Sequence, residues 1–248
     1  MGIKIYNGSS DMNQPDPWNF FEAIYCISVA DRIDRQQQVQ KQFAAVGLGE
    51  RVEFVLVARH PENREQGIFE SHLLCLNKGL AAGARHILIF EDDVFFRDFA
   101  PRTLAEACLH LESLENWDGL FLGGITSTSR RTGVKSLVRI QYRCLSHAYA
   151  LNAPFARRIV QEPWRGIPYD GLLRKTGGDF FAPYPMCAFQ GLSESDNQTV
   201  AIDRMRRMLG GLPFIQKMNE RYQNHKPLFL ALHLAAFLGL GALAWTLW

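Results

Sequence analysis

The 248-residue chain predicts a mostly parallel, doubly wound α/β sheet with an apolar C-terminal helix. Three observations carry this reading. Short β-branched and aromatic runs alternate with longer stretches of helical periodicity, the pattern of strand–helix–strand units. The run His86–Phe96, HILIFEDDVFF, takes an apolar strand straight into three carboxylates. The last 21 residues, Leu228–Trp248, are apolar except for the polar side chains of His233 and Thr246.

Taken in order, residues 1–22 read as a lead-in. They lack the continuous apolar core of a signal peptide, and Tyr6 stands where a myristoylation signal needs Ser or Thr. Ala23–Val29 is the first strand. Asp31-Arg32-Ile33-Asp34-Arg35 leads into a polar helix that ends near Ala45, before Gly47 and Gly49. Arg51–Ala58 is a second strand, and RHPENREQG a polar loop. Helix signals resume near Glu70, with Leu73, Leu74, Leu76 and Leu80 on the apolar face and Gly83 as the stop. After the central strand, Pro101 starts a helix and Gly119–Leu122 reads as a buried strand. The segment TSTSRRTG reads as a flexible polar loop. Ser136–Arg143 and His147–Leu151 are expected strands, Ala153–Gln161 a helix, Asp170 the lead into a short helix, and Phe180–Pro185 an edge strand. Gly191–Gln198 is a loop.

This divides the chain into a lead-in (1–22), an enzyme domain (23–200), a basic segment (201–227) and the apolar tail (228–248). Residues 1–200 hold 21 Lys/Arg against 23 Asp/Glu, whereas 201–227 holds six against two. The excess of basic residues sits in one late segment without an aromatic stacking pattern, so nothing in the chain resembles a nucleic-acid binder. Cys26, Cys75, Cys108, Cys144 and Cys187 form no CxxC pair, so neither a zinc site nor a disulfide framework is expected, and a reducing compartment suits them.

Adjacent acids at a strand end are costly to bury. A hard divalent cation bridging carboxylates to a diphosphate would offset that cost, and ligands of open α/β sheets lie at the carboxyl ends of the strands. The plainer alternative is a solvated acidic turn. As a helix, the 21-residue tail spans roughly 30 Å, a bilayer's hydrocarbon thickness. Trp245 and Trp248 lie at one end and Arg221, His225 and Lys226 at the other. The tail therefore predicts a membrane anchor with the catalytic part cytoplasmic; a buried core helix or an oligomer contact is the alternative.

Four blocks in order resemble glycosyltransferase family 25, the lipopolysaccharide sugar transferases related to the collagen galactosyltransferases. They are CISVADRIDRQQQ, GIFESHLLCLNKGL, LIFEDDVFF, and HAYALNAPFARRIV with IPYDGLL and SESDNQ, together covering about residues 23–198. The resemblance implies a GT-A-like nucleotide-sugar fold. It also implies a manganese-dependent (or magnesium-dependent) inverting transfer, often of galactose from UDP-galactose, and family habit places it at a bacterial inner membrane. The short polar loop between Ala58 and Gly67 and the hydrophobic tail depart from the family pattern, which bears on the acceptor more than on the donor.

Within that frame Asp93 is the first candidate for metal ligation, with Glu91 beside it. Glu91 or Asp92 would contact ribose or metal-bound water. Arg32, Asp34 and Arg35 lie where a nucleotide approaches the sheet, and arginine grips phosphate with paired donors; the alternative is a solvated helix start. Ser71-His72 is read as a helix N-terminus offering donors to an anion, against a packed histidine. His147 reads foremost as a packed, hydrogen-bonded histidine. Transfer to an acceptor hydroxyl needs a carboxylate base. Asp170 is preferred, an N-cap being its alternative, with Asp196 and Gln190 near donor or acceptor. The expected function is UDP-sugar-dependent glycosylation of a lipid-linked glycan. The competing classes are a metal-dependent phosphoryl-transfer or phosphodiester enzyme, disfavoured by the lack of GxxxxGK[ST], and an inactive membrane-anchored sugar-nucleotide-binding protein.

Overall fold

A computed structural model describes residues 16–191, 211–233, 235 and 236. The elements are β1 (Ala23–Val29), α1 (Ile33–Ala45), β2 (Glu53–Val57), α2 (Arg64–Ala81), β3 (His86–Glu91), β4 (Val94–Phe96), α3 (Pro101–Glu112) and β5 (Gly119–Phe121). They continue with β6 (Ile125–Arg131), β7 (Leu137–Cys144), β8 (Ala148–Asn152), α4 (Ala153–Ile159), α5 (Tyr169–Thr176), β9 (Phe180–Pro183), β10 (Ala188–Gln190) and α6 (Gly211–Asn224).

Eight strands form one sheet in the order β2-β1-β3-β8-β5-β9-β7-β6, and β4 pairs with β10 in a separate two-stranded ribbon. In the large sheet six strands point one way, while β7 and β8 run against them. This is the mostly parallel α/β sheet that the alternation predicts. Side chains alternate across it. Ile24, Cys26, Leu88, Phe90 and Leu120 face α1 and α3 through Val39, Phe43, Leu104 and Leu111. Tyr25, Ile87, Ile89, Phe121 and Tyr149 face the other way, toward Phe69 and Leu76 of α2, Phe155 of α4 and Leu172 of α5. Burial of both faces explains why β3 and β8 read as apolar runs and not as alternating ones. From β1 the chain moves outward to β2 and then returns to place β3 on the other side, so the strand order reverses between β1 and β3.

Three expectations are corrected. The helix expected to begin near Glu70 begins at Arg64, because Asn63 accepts the Gln66 N–H and caps it. Gly67, expected in the loop, lies inside this helix, where a Cβ would come within 2.7 Å of His60 Cβ. The polar TSTSRRTG stretch is mostly strand β6, at the sheet edge. Phe180–Pro185, expected as an edge strand, is represented by β9. That strand is buried between β5 and β7, as four consecutive buried residues require.

The exposed edge of β6 is covered by α6, which belongs to the late basic segment. The Asn219 amide accepts from Thr126 N–H at 2.9 Å and donates to Thr126 C=O at 3.0 Å, standing in for a ninth strand. Ser129 donates to Asn224, Gln216 donates to Ala188 C=O, and Met186 N–H donates to Glu220 Oε1 at 2.6 Å. No helix among the described residues is long and apolar enough to cross a membrane. Of the tail, residues 228–233, 235 and 236 are described and helical, and the remainder lies outside the described residues.

Burial pushes the Glu220 carboxyl up to about 7, against the Met186 N–H bond and the Lys217 and Arg221 charges. The folded protein thus keeps this proton where the unfolded chain, near the ordinary value of 4.5, has lost it. Its contribution is full below about pH 4.5 and declines as pH rises toward 7, by up to about 3 kcal/mol. Glu220→Gln should flatten that decline in urea-midpoint measurements at pH 5 and pH 7.5. An unchanged pH dependence would show that Glu220 titrates normally.

Candidate active site at the carboxyl ends of the first and third strands

The acids at the end of β3 lie beside the carboxyl end of β1, where the strand order reverses and where open α/β sheets leave a crevice. Asp92 is the innermost. Its Oδ2 accepts from Ser28 Oγ of β1 at 2.7 Å, and its Oδ1 accepts from Arg35 of α1 at 3.2 Å. Asp92 is 9% exposed and the Arg35 side chain 17%, so this is a buried pair that ties β1, α1 and β3 together.

Asp93 turns toward the small ribbon. Its Oδ2 accepts from Gln190 Nε2 at 3.1 Å, and its carbonyl accepts from Gly191 N–H at 2.7 Å. Loss of water and the neighbouring Glu91 charge push Asp93 up to about 7, against the Gln190 bond. Glu91 turns a third way. Ser146 donates to it at 3.3 Å, and His72 Nε2 lies 3.5 Å from the same oxygen. Burial raises Glu91, but the His72 contact, the histidine charges and Ser146 together hold it below the ordinary glutamate value.

His72 is not at a helix N-terminus. It sits in the middle of α2, fully buried, stacked 4.1 Å from the Tyr169 ring. Its Nδ1 is 3.0 Å from Tyr149 Oη, which in turn donates to Tyr169 Oη at 2.8 Å. Ser71, expected to offer a donor to an anion, donates instead to Gly67 C=O. His72 therefore reaches the site through Glu91, as the back of a buried polar chain. His147, also fully buried, lies 3.2 Å through Nε2 from Ala188 C=O, and burial lowers its pKa. Gly123 is required beside it, because a Cβ there would stand 2.0 Å from Ala188 O.

Asp170 lies in the first turn of α5 and is not its N-cap, a place taken by Pro168. Tyr142 Oη donates to Oδ1, and Leu145 N–H donates to Oδ2 at 3.0 Å. Leu145 has φ 76, so Asp170 braces a left-handed turn between β7 and β8. The charges of Asp170 and Glu91 both act on His147 and Tyr142. Arg32 and Asp34 form an exposed fork with each other, with contacts of 3.1 Å and 3.1 Å. Asp196 lies outside the described residues.

Among the described residues no three His, Cys, Asp or Glu side chains converge as a closed metal site. Asp92 is committed to Ser28 and Arg35. Asp93 and Glu91 point apart, Asp93 toward Gln190 and Glu91 toward Ser146 and His72.

Ser28, Ser146, Tyr149 and Tyr169 were not singled out from sequence. Ser28 left a signal, as the one hydroxyl in the apolar strand AIYCISV apart from the Tyr25 phenol.

Asp92→Ala removes the acceptor that Ser28 and Arg35 share and should cost about 3 kcal/mol in urea unfolding, the scale for breaking a buried pair. Asp92→Asn, which keeps an acceptor for Ser28, should cost less. A loss below about 1 kcal/mol for the alanine variant would show that the pair carries little of the fold.

No family model matches the chain, and no curated protein matches it. Among solved structures it is similar to A197 from STIV, with TM-score 0.40 and 13% identity over 69% of this chain and 86% of that one. A mannose-1-phosphate geranyltransferase from Thermus thermophilus gives 0.41 and 13%, covering 65% of this chain and 72% of that one. A UTP-bound UGPase from Acinetobacter baumannii gives 0.40 and 12%, covering 75% and 82%. These likenesses are too distant to bear on the chemistry.

Proposed function

We propose that this protein is a glycosyltransferase that moves a hexose, such as galactose, from a UDP-sugar to a hydroxyl of a lipopolysaccharide or other lipid-linked glycan. The observation that carries the reading is the three adjacent acids at the end of β3, with Arg35 on Asp92 and Gln190 on Asp93, at the reversal of strand order between β1 and β3. There the carboxyl ends of parallel strands meet a helix that supplies a cation.

In this reading Asp93 and Glu91 would turn to hold Mn²⁺ or Mg²⁺, which would supply positive charge against a diphosphate. Arg35, fixed on Asp92, presents its guanidinium edge toward phosphate, and Arg32 with Asp34 borders the nucleotide's approach. Gln190 orients Asp93. His72 holds Glu91 in place from behind, and the Tyr149–Tyr169 pair holds His72. Asp170 takes the proton from the acceptor hydroxyl. An inverting outcome follows the family resemblance. The apolar run from Leu228 anchors the enzyme in a membrane, with the sheet domain on the cytoplasmic side.

One observation favours a second reading, a sugar-nucleotide-binding protein without turnover. Both Asp170 oxygens already hold protein donors. The two readings part on Asp170→Asn. For the transferase, UDP release from a UDP-hexose in the presence of Mn²⁺ and a glycolipid acceptor falls by at least about a hundredfold, the scale of general-base loss, while UDP binding is kept. Wild-type protein that binds UDP and releases none from any UDP-sugar tried would leave the binding reading alone.

A further inference from the structure

One face of α6 is exposed and apolar. Phe214, Met218 and Tyr222, spaced at four-residue intervals, are 51%, 37% and 41% exposed and form one apolar stripe. The opposite face is buried through Pro213, Gln216 and Glu220. Arg221 is exposed beside the stripe, and the Lys226 ammonium stands 5.9 Å over the Tyr222 ring. Tyr222 packs edge-on against Phe229, which links α6 to the helical segment 226–233. In that segment Leu228, Leu230 and Leu232 are each more than half exposed. The sequence then stays apolar to Trp248 apart from Thr246.

We propose that the Phe214–Met218–Tyr222 face of α6 lies in the headgroup layer of an anionic lipid bilayer and fixes the orientation of the catalytic domain on the membrane. This rests on the anchoring of the apolar tail in the proposed function and extends it to the folded body. The occupant follows from chemistry. An apolar stripe flanked by Arg221 and Lys226 is the make-up of a helix lying in a membrane interface. The Tyr222–Phe229 contact also joins the stripe to the segment that carries the exposed Leu228, Leu230 and Leu232 and precedes the apolar tail. Because α6 bonds to β6 and to the Met186–Ala188 segment, the bilayer would act on the rigid sheet and not on a loose linker. Tyr222 and Phe229 place aromatic rings at the boundary, where amphipathic rings settle.

The test uses the full chain reconstituted in vesicles of phosphatidylcholine, alone or mixed with phosphatidylglycerol. An environment-sensitive fluorophore is attached at Met218→Cys. A control carries it at Glu50→Cys, next to β2 at the far edge of the sheet, and labelling of native thiols is subtracted using wild type. The expected result is blue-shifted emission and several-fold weaker acrylamide quenching at 218 than at 50, stronger with phosphatidylglycerol. Arg221→Gln with Lys226→Gln should remove the phosphatidylglycerol dependence. Equal quenching at both positions in protein that floats with vesicles would overturn the proposal and leave the anchor. Shielding that grows with the number of protein copies per vesicle would overturn it too and assign the face to a second copy. Protein that does not float with vesicles would remove the anchoring itself. No arm contains donor or acceptor, so the outcome is independent of the transferase chemistry.

Discussion

The carboxylate of Asp92, held between Ser28 and Arg35, is the constraint on which the site depends. A charge at the inner end of a central strand is expensive unless its lone pairs find donors. Here β1 supplies a hydroxyl and α1 a guanidinium, so the acid is tolerated and the three elements acquire a fixed register at the place where the strand order reverses. The neighbours on either side are then free to do other work. Glu91 points to the buried histidine layer and Asp93 to the β4–β10 ribbon.

Behind these acids lies a polar layer inside an otherwise apolar face. His72 stacks on Tyr169 and reaches both Tyr149 and Glu91. Asp170 draws in Tyr142 and the Leu145 amide, and His147 reaches Ala188. Such networks are costly when half satisfied, and here the buried His147 Nδ1 has no hydrogen-bond partner among the described residues. The result is a carboxyl-rich rim whose positions are set by packing, with the β6 edge closed by the α6 amide of Asn219.

Much of this was legible in the residues. Strand–helix alternation and the apolar runs gave β1, β3, β7 and β8 close to their ends, because buried strands carry unmistakable β-branched and aromatic density. Spacing and resemblance point to Glu91, Asp92, Asp93, Arg35 and Gln190; in the structure Arg35 pairs with Asp92 and Gln190 with Asp93, while Glu91 turns toward Ser146 and His72. Three things were hidden. The start of α2 depended on Asn63 as a cap inside a polar stretch, so His72 was placed at a helix end when it sits mid-helix. β6 is Ser- and Thr-rich because an edge strand has one solvated face, which hides it from hydrophobic pattern. The division of labour among three adjacent acids rests on long-range partners such as Ser28, 64 residues from Asp92, which no local pattern reveals.

The central claim is that Asp93, beside the Asp92 clasp, completes a cation–diphosphate site. It is tested most directly by calorimetric titration of UDP into wild type and Asp93→Ala, each with Mn²⁺ and with EDTA. The account predicts binding by wild type that requires Mn²⁺ and vanishes in the variant. Equal UDP binding with EDTA, or by folded Asp93→Ala, would contradict it.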